Sequence, residues 1–320
     1  MLCAIPAIRS LRHAFPQAEI VLIGLPWATS FVQRFNLYFN RCIVFPGYPG
    51  LPEQPFSPAA WEQFKAVMEQ EQFDMVLQMQ GNGSIVNDML LQLPAKQLAG
   101  FYRRDRCPDD PRLPLDLFVA YPEGKHEIER HLILMKHLGI PDQGTDLEFP
   151  IHPEEEAELE RIAPFAKDTP YVCVHPGSRD ANRQWPPAYF AKLADHCAAN
   201  GYRVVLTGTK DELHIVDNVI QHMQYQPVNL AGKTALGVVA ALIQKSRLLI
   251  SNCTGVSHIA AATRTPSFII SMDGEPERWG PLNRSLHLVT DWLQHPYFDE
   301  LFEQFTTRVV LPQKAAHAMQ

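Results

Sequence analysis

A parallel α/β fold in two domains is the class this sequence predicts, and three observations predict it. Short apolar runs of strand length alternate with amphipathic runs of helix length along most of the chain, the pattern of strands joined by helical crossovers. The chain is 320 residues long, enough for two domains of ordinary size. Between residues 141 and 170 its character changes: prolines recur, Glu154 to Glu156 form an acidic run, and apolar periodicity fades outside one short helix. The expected domains are therefore 1–155 and 156–320.

The first domain reads as follows. Ala4 to Ala14 has helical periodicity and leads to a strand from Glu19 to Gly24. A helix from Pro58 to Gln70 carries Trp61, Phe64 and Met68 on one face, with Ser57 as cap and Pro58 at its first position. A strand from Asp74 to Met79 follows, and a helix from His126 to Leu138 is stopped by Gly139 and Pro141. The chain opens on a helical pattern with no strand to feed it. A strand absent from these residues is the expectation, and a sheet lacking it would show a gap or an open edge. The second domain repeats the alternation through strands at Tyr171–His175, Arg203–Gly208, Arg247–Ser251, Ser267–Ser271 and Leu286–Thr290. Its tail, Asp291 to Val310, is an amphipathic helix rich in aromatics that must pack on something.

Composition narrows the function. Hydrophobic residues are 46% and charged residues 20%, as in a globular protein with real cores. The net charge is −7, with no basic cluster large enough for nucleic acid. The six cysteines have no Cys-x-x-Cys spacing and the 13 histidines no His-Glu-x-x-His spacing, so no metal site is expected and no cofactor is implied. No apolar run approaches the ~20 residues that span a bilayer.

The segment Arg247 to Ala262 is the most informative. Apolar Leu248 to Ile250 read as a buried strand, and a helix starts almost at once behind Thr254, whose hydroxyl can cap it, and Gly255, which permits close approach. The first turn of such a helix has unpaired N–H groups and a partial positive charge, which together bind phosphate. A second loop, Val174 to Pro187, follows another strand. Gly177 and Ser178 can form a nest of backbone N–H groups, and Arg179 and Arg183 offer guanidinium donors. Ligands of open parallel sheets sit outside the carboxyl ends of the strands, so two phosphate-friendly loops there point to a nucleotide diphosphate. His258 reads equally as a ligand donor or as a packed side chain. Gln80 to Val86 begins like a dinucleotide fingerprint, but Val86 occupies the third glycine position; close packing or an acceptor-site turn is the better reading. Arg103, Arg104 and Arg106 suit an anionic acceptor or a solvated loop.

Six ordered segments then carry a resemblance: His175–Ser178, Arg183–Pro186, Val204–Gly208, Asn229–Thr234, Cys253–Ala261 and Glu277–Pro281. They resemble glycosyltransferase family 9, the ADP-heptose:lipopolysaccharide heptosyltransferases and their relatives. The resemblance implies a GT-B fold of two Rossmann-like domains, the C-terminal helix returning to the first. It also implies inverting, metal-independent transfer from a nucleotide-diphosphate sugar to a lipid-linked or core saccharide of the cell envelope. The place would be the cytoplasm, with peripheral contact to the inner membrane as an option. By position it assigns Ser178 and Arg183 to the donor phosphates, beside Arg179 of the same loop, Thr254, Gly255 and His258 to the diphosphate turn, and Gly208 and Gly232 to segments flanking the nucleoside. Cys253 stands where the family usually has an aspartate near the donor sugar, which predicts a change in sugar choice. The family's catalytic Gly-Asp loop would precede Met1, so no catalytic residue is assigned, with Asp105 and Asp273 as fallback bases. A non-catalytic sugar-nucleotide-binding protein is the first alternative and an NAD-dependent oxidoreductase the second.

Overall fold

The structure, a computed structural model, describes residues 1–309, which fall into two compact units, one from Cys3 to Thr145 and one from Asp146 onward. The first unit contains α1 (Ile5–Ala14), β1 (Val21–Gly24), α2 (Ala28–Arg34), β2 (Arg41–Val44), α3 (Pro58–Glu71), β3 (Met75–Leu77), α4 (Ile85–Leu90), β4 (Gln97–Tyr102), β5 (Phe118–Ala120) and α5 (Glu127–His137). The helix α3 starts where Ser57 and Pro58 predict, the Ser57 hydroxyl accepting from the Ala60 amide at 3.4 Å. Its apolar stripe, Trp61, Phe64 and Met68, is buried.

Every strand pair in this unit is parallel, but the sheet is in two pieces, β1–β2 and β3–β4–β5. Among the described residues no strand joins β1 to β3. One apolar cluster nevertheless serves both pieces: Ile23 and Ile43 pack against the same group that holds Phe64, Met68, Val76 and Leu98. The open edges leave their mark on burial. All four residues of β1 are only half-buried, and Met75 of β3 is 38% exposed. Interior strands of a covered parallel sheet are buried along their whole length. Among the described residues each piece keeps an unpaired edge, at β1 and at β3.

The second unit contains α6 (Pro153–Ile162), β6 (Tyr171–His175), α7 (Pro187–Ala199), β7 (Arg203–Leu206), α8 (Leu213–His222), β8 (Val228–Asn229), α9 (Leu236–Lys245), β9 (Leu249–Asn252), α10 (Gly255–Ala262), β10 (Ser267–Ser271), α11 (Pro276–Trp279), β11 (His287–Asp291) and α12 (Phe298–Arg308). Its six strands form one parallel sheet in the order β11-β10-β9-β6-β7-β8, with β6, β9 and β10 buried at every residue. Helices on both faces supply the two clusters that bury it, one around Phe190, Leu193 and Phe268 and one around Leu242, Ile243 and Ile259.

Two expectations are corrected. The units divide at Thr145/Asp146 rather than at 155/156, because α6 belongs wholly to the second unit. Its Leu159 is buried in the same cluster as Val238 and Leu242 of α9. Gly237 makes that approach possible, since a Cβ there would lie 1.6 Å from a carboxylate oxygen of Glu155. The tail helix, expected to return to the first unit, packs on the second through its described length. Leu301 and Phe305 are buried beside Phe190 and Phe268, and Phe298 stacks on Tyr189 with ring centroids 4.4 Å apart. Two large apolar side chains buried on one helix stabilise the packing by about 1.5–3 kcal/mol each, which fixes α12 there. The predicted end of that helix at Val310 lies outside the described residues.

Candidate donor-binding site

The site lies at the carboxyl ends of β6, β7, β9 and β10 in the second unit. Its first wall is the loop from Pro176 to Pro186. Gly177 is required there: a Cβ would fall 2.3 Å from the carboxylate carbon of Glu212. Ser178 is buried, its carbonyl accepting from the Gln184 side-chain Nε2 at 2.8 Å. The amides of Gly177 and Ser178 have no acceptor among the described residues, as an anion nest requires. Arg179 is exposed with no partner among the described residues, so its contribution is charge rather than fixed geometry. Arg183 is half-exposed and ion-paired to Asp273, Nη2 to Oδ2 at 3.2 Å.

The second wall is the start of α10. Thr254 occupies the N-cap position with extended backbone, as predicted, but its hydroxyl does not cap the helix. It points instead to the Asn252 carbonyl at 3.5 Å. The consequence favours binding: the Gly255 and Val256 amides have no acceptor among the described residues, and a Cβ at Gly255 would meet nothing within 4 Å. The helix therefore presents open N–H groups at its positive end. His258 sits half-buried on the same first turn.

One residue joins the two walls, and sequence reading missed it. Asn252, 1% exposed at the end of β9, donates from Nδ2 to the Pro176 carbonyl at 2.8 Å. Its Oδ1 accepts from the Trp185 amide at 3.1 Å. A single amide thus staples both ends of the 176–185 loop to the strand that launches α10. The signal was an asparagine buried at a strand end, where a polar side chain needs partners.

The segments expected to flank a nucleoside are also brought together. Gly208, just past β7, accepts at its carbonyl from the Gly232 amide at 2.9 Å, and Gly232 has a positive φ of 70° that favours glycine. Between these and the anion loop stands Glu212, not singled out from sequence. Its carboxylate accepts from the Thr209 amide at 2.7 Å and lies 3.8 Å from His175 Nε2. His175 Nδ1 faces the Thr207 hydroxyl at 3.0 Å. Burial holds the His175 pKa below its usual value, with Glu212 opposing.

Cys253 is buried, packed with Leu230, Val256 and Ile259 beneath the turn. That position favours a packing role for a small apolar side chain. The fallback bases fare no better. Arg103 holds exposed Asp105 below the usual carboxylate range through a 2.5 Å contact, which suits a charge partner and not a proton acceptor. Asp273 is already paired with Arg183. In the first unit, a cleft of about 310 Å³ is lined by Asn82, Arg103, Arg104, Asp105 and Glu123, so the arginine cluster does border an opening. Gly83 is explained by packing: a Cβ would lie 2.1 Å from the Phe101 carbonyl oxygen, so the glycine serves contact with β4 and the oxidoreductase reading loses its support.

Comparison with known proteins decides the family. The model of glycosyltransferase family 9 (heptosyltransferase) matches residues 61–301, which include both walls of the site. The chain belongs to glycosyltransferase family 9. It is 33% identical to lipopolysaccharide heptosyltransferase 3 of Escherichia coli K12 over 175 residues, covering 52% of this chain and 50% of that protein. It is 26% identical to the lipopolysaccharide core heptosyltransferase OpsX of Haemophilus influenzae over 234 residues, covering 72% of this chain and 65% of that one. The match thus spans between half and two-thirds of the length of these curated relatives. The solved structure of E. coli ADP-heptose lps heptosyltransferase II aligns with 97% of this chain and 95% of its own at a TM-score of 0.71 and 18% identity, which shows the GT-B fold. Among the described residues no helix is long and apolar enough to cross a membrane.

Proposed function

We propose that this chain is a glycosyltransferase that holds a nucleotide-diphosphate sugar on its second unit and passes the sugar to a lipopolysaccharide-core or related cell-envelope saccharide. The observation that carries the reading is the Asn252 staple, which sets the Gly177–Arg183 loop and the open first turn of α10 on neighbouring strand ends. ADP is the favoured nucleotide, since a protein sharing the fold is named for ADP-heptose.

In this reading the acceptor hydroxyl passes its proton to a base or to water as its oxygen attacks the anomeric carbon on the face opposite the diphosphate. The bond from that carbon to the phosphate oxygen breaks, and configuration inverts. Charge builds on the departing diphosphate. Arg183 and the open amides of Gly177, Ser178, Gly255 and Val256 are placed to receive it, at no reorganisation cost during the step. With these groups meeting the charge, the reading needs no metal, so transfer is expected to survive chelator. No residue is assigned as base. Work on a lipid-linked acceptor would place the protein at the cytoplasmic face of the inner membrane by peripheral contact.

Calorimetry with ADP, UDP and GDP tests the placement. Arg183→Ala is expected to weaken diphosphate binding by roughly 1.5–3 kcal/mol, the value of a hydrogen bond to a charged group. Unchanged affinity would remove the diphosphate from this loop. A second reading, a sugar-nucleotide-binding protein without transferase activity, is favoured by Cys253, which leaves the donor turn without a carboxylate. Tight nucleotide-sugar binding with neither transfer nor donor hydrolysis would select it.

A further inference from the structure

We infer that Asp273 is a positioning residue that aims Arg183 at the donor diphosphate. The inference rests on the proposed function and deepens it. Asp273 lies two residues beyond β10, and the register Ile270 to Asn252 brings that strand's exit beside the start of α10. The Cys253 amide donates to the Ile270 carbonyl at 2.8 Å, tying the two exits together.

The carboxylate is fixed before Arg183 meets it. Oδ1 accepts from the Ser271 hydroxyl at 2.8 Å and from the Glu275 amide at 3.2 Å, and Ser271 itself is fully buried. Oδ2 is buried with no hydrogen bond among the described residues. It faces only Arg183 Nη2, at 3.2 Å, an ion pair off the line of a hydrogen bond. The Asp273 side chain is 10% exposed against 41% for Arg183, so the acid is the anchor and the arginine the mobile partner. Arg183 has no other partner among the described residues, which leaves Nε and Nη1 for a ligand.

An arginine on a partly exposed loop samples many rotamers. One anchored nitrogen removes most of that freedom before the ligand arrives, so less is lost on binding. The planar fork then presents its remaining donors in fixed geometry, as recognition of phosphate oxygens requires. The anchor also keeps the guanidinium between the carboxylate and the incoming anion, which limits repulsion between the two. Asp273 acts through Arg183 and touches no phosphate.

The test compares native protein, Asp273→Asn, Arg183→Ala and the double variant, each titrated with the tightest-binding of ADP, UDP and GDP and with the matching nucleoside. Asp273→Asn keeps the shape and removes the charge. Diphosphate affinity is expected to fall roughly 5- to 30-fold, less than the roughly 10- to 150-fold for losing a charge-assisted contact outright, because the arginine itself remains. Nucleoside affinity should stay within about twofold, since only the phosphates meet Arg183, and Asp273→Asn should add nothing in the Arg183→Ala background. Equal losses for both ligands, or a loss that persists without Arg183, would overturn the inference in favour of a structural role. No loss in Asp273→Asn would overturn it as well. Should that variant misfold, Ser271→Ala loosens the same carboxylate through Oδ1 and is expected to show a smaller loss with the same ligand dependence. Its absence would count against the inference. If the native protein binds no diphosphate at all, the proposed function itself falls and this inference with it.

Discussion

Replacing Asn252 with Ala removes two hydrogen bonds at once, and the structure gives the size of the effect. The Trp185 amide and the Pro176 carbonyl are both buried, so neither regains water as a partner. A buried backbone group left unsatisfied costs about 1–3 kcal/mol. Two such groups put the loss at roughly 2–6 kcal/mol, partly relieved if the loop opens to solvent. In a unit of this size each kcal/mol lowers the melting temperature by about 2–4 °C, so a drop of roughly 4–24 °C is expected. The same change frees the 176–185 loop from β9, and diphosphate affinity should fall with it. Asn252→Asp separates the two bonds: it keeps an acceptor for the Trp185 amide but sets a carboxylate against the Pro176 carbonyl. Differential scanning calorimetry with and without ADP reads both effects. An Asn252→Ala protein that melts within a degree of native and binds ADP as tightly would refute the stapling argument.

Two further outcomes follow from the fold. His287, buried in β11 beside the Ser267 hydroxyl, has its pKa lowered to about 4, chiefly by burial and secondarily by Arg284. The unfolded chain takes up this proton first, near its ordinary pKa of ~6.5. The stability contributed by neutral His287 is therefore complete above that value and is lost as pH falls towards 4, by roughly 2 kcal/mol at pH 5. His287→Gln should flatten that acid limb in melts between pH 7.5 and 5, and an unchanged limb would show that this histidine does not set it. The open edges of β1 and β3 predict that one more parallel strand fits between them. A protein with a strand-forming segment joined ahead of α1 should melt well above the 320-residue chain and protect β1 amides from exchange. Equal melting and protection would mean that these edges take no further strand.

Elements with strong local signals were legible. Ser57-Pro58 and a three-residue apolar stripe define α3, and consecutive apolar residues define β6 and β10, because cap chemistry and burial act over a few residues. The short strands β2, β5 and β8 carried no such signal; their pairing depends on neighbours far along the chain. The same divide runs through the site. Ser178, Arg183 and Gly232 stand in loops, and Gly255 at a helix start, whose composition announces them. Asn252 and Glu212 do not, and Asp273 reads there only as a fallback base, since each matters through a partner distant in sequence: Asn252 through Pro176 and Trp185, Glu212 through Gly177, Asp273 through Arg183. Thr254 shows the converse: the residue type was right for a cap, but its hydroxyl turned to Asn252 and left the helix amides open. Proline content and the acidic run put the boundary at 155/156, but the burial of Leu159 against α9 assigns α6 to the second unit.

Titrating ADP into isotope-labelled protein and following backbone amide resonances reads whether the second unit holds a diphosphate between two sets of open amides. Gly177, Ser178, Gly255 and Val256 are expected to show the largest saturable shifts, displaced downfield as each N–H gains a phosphate oxygen. That placement is contradicted if those four amides stay still while ADP saturates resonances elsewhere, such as Gly81 to Val86 in the first unit.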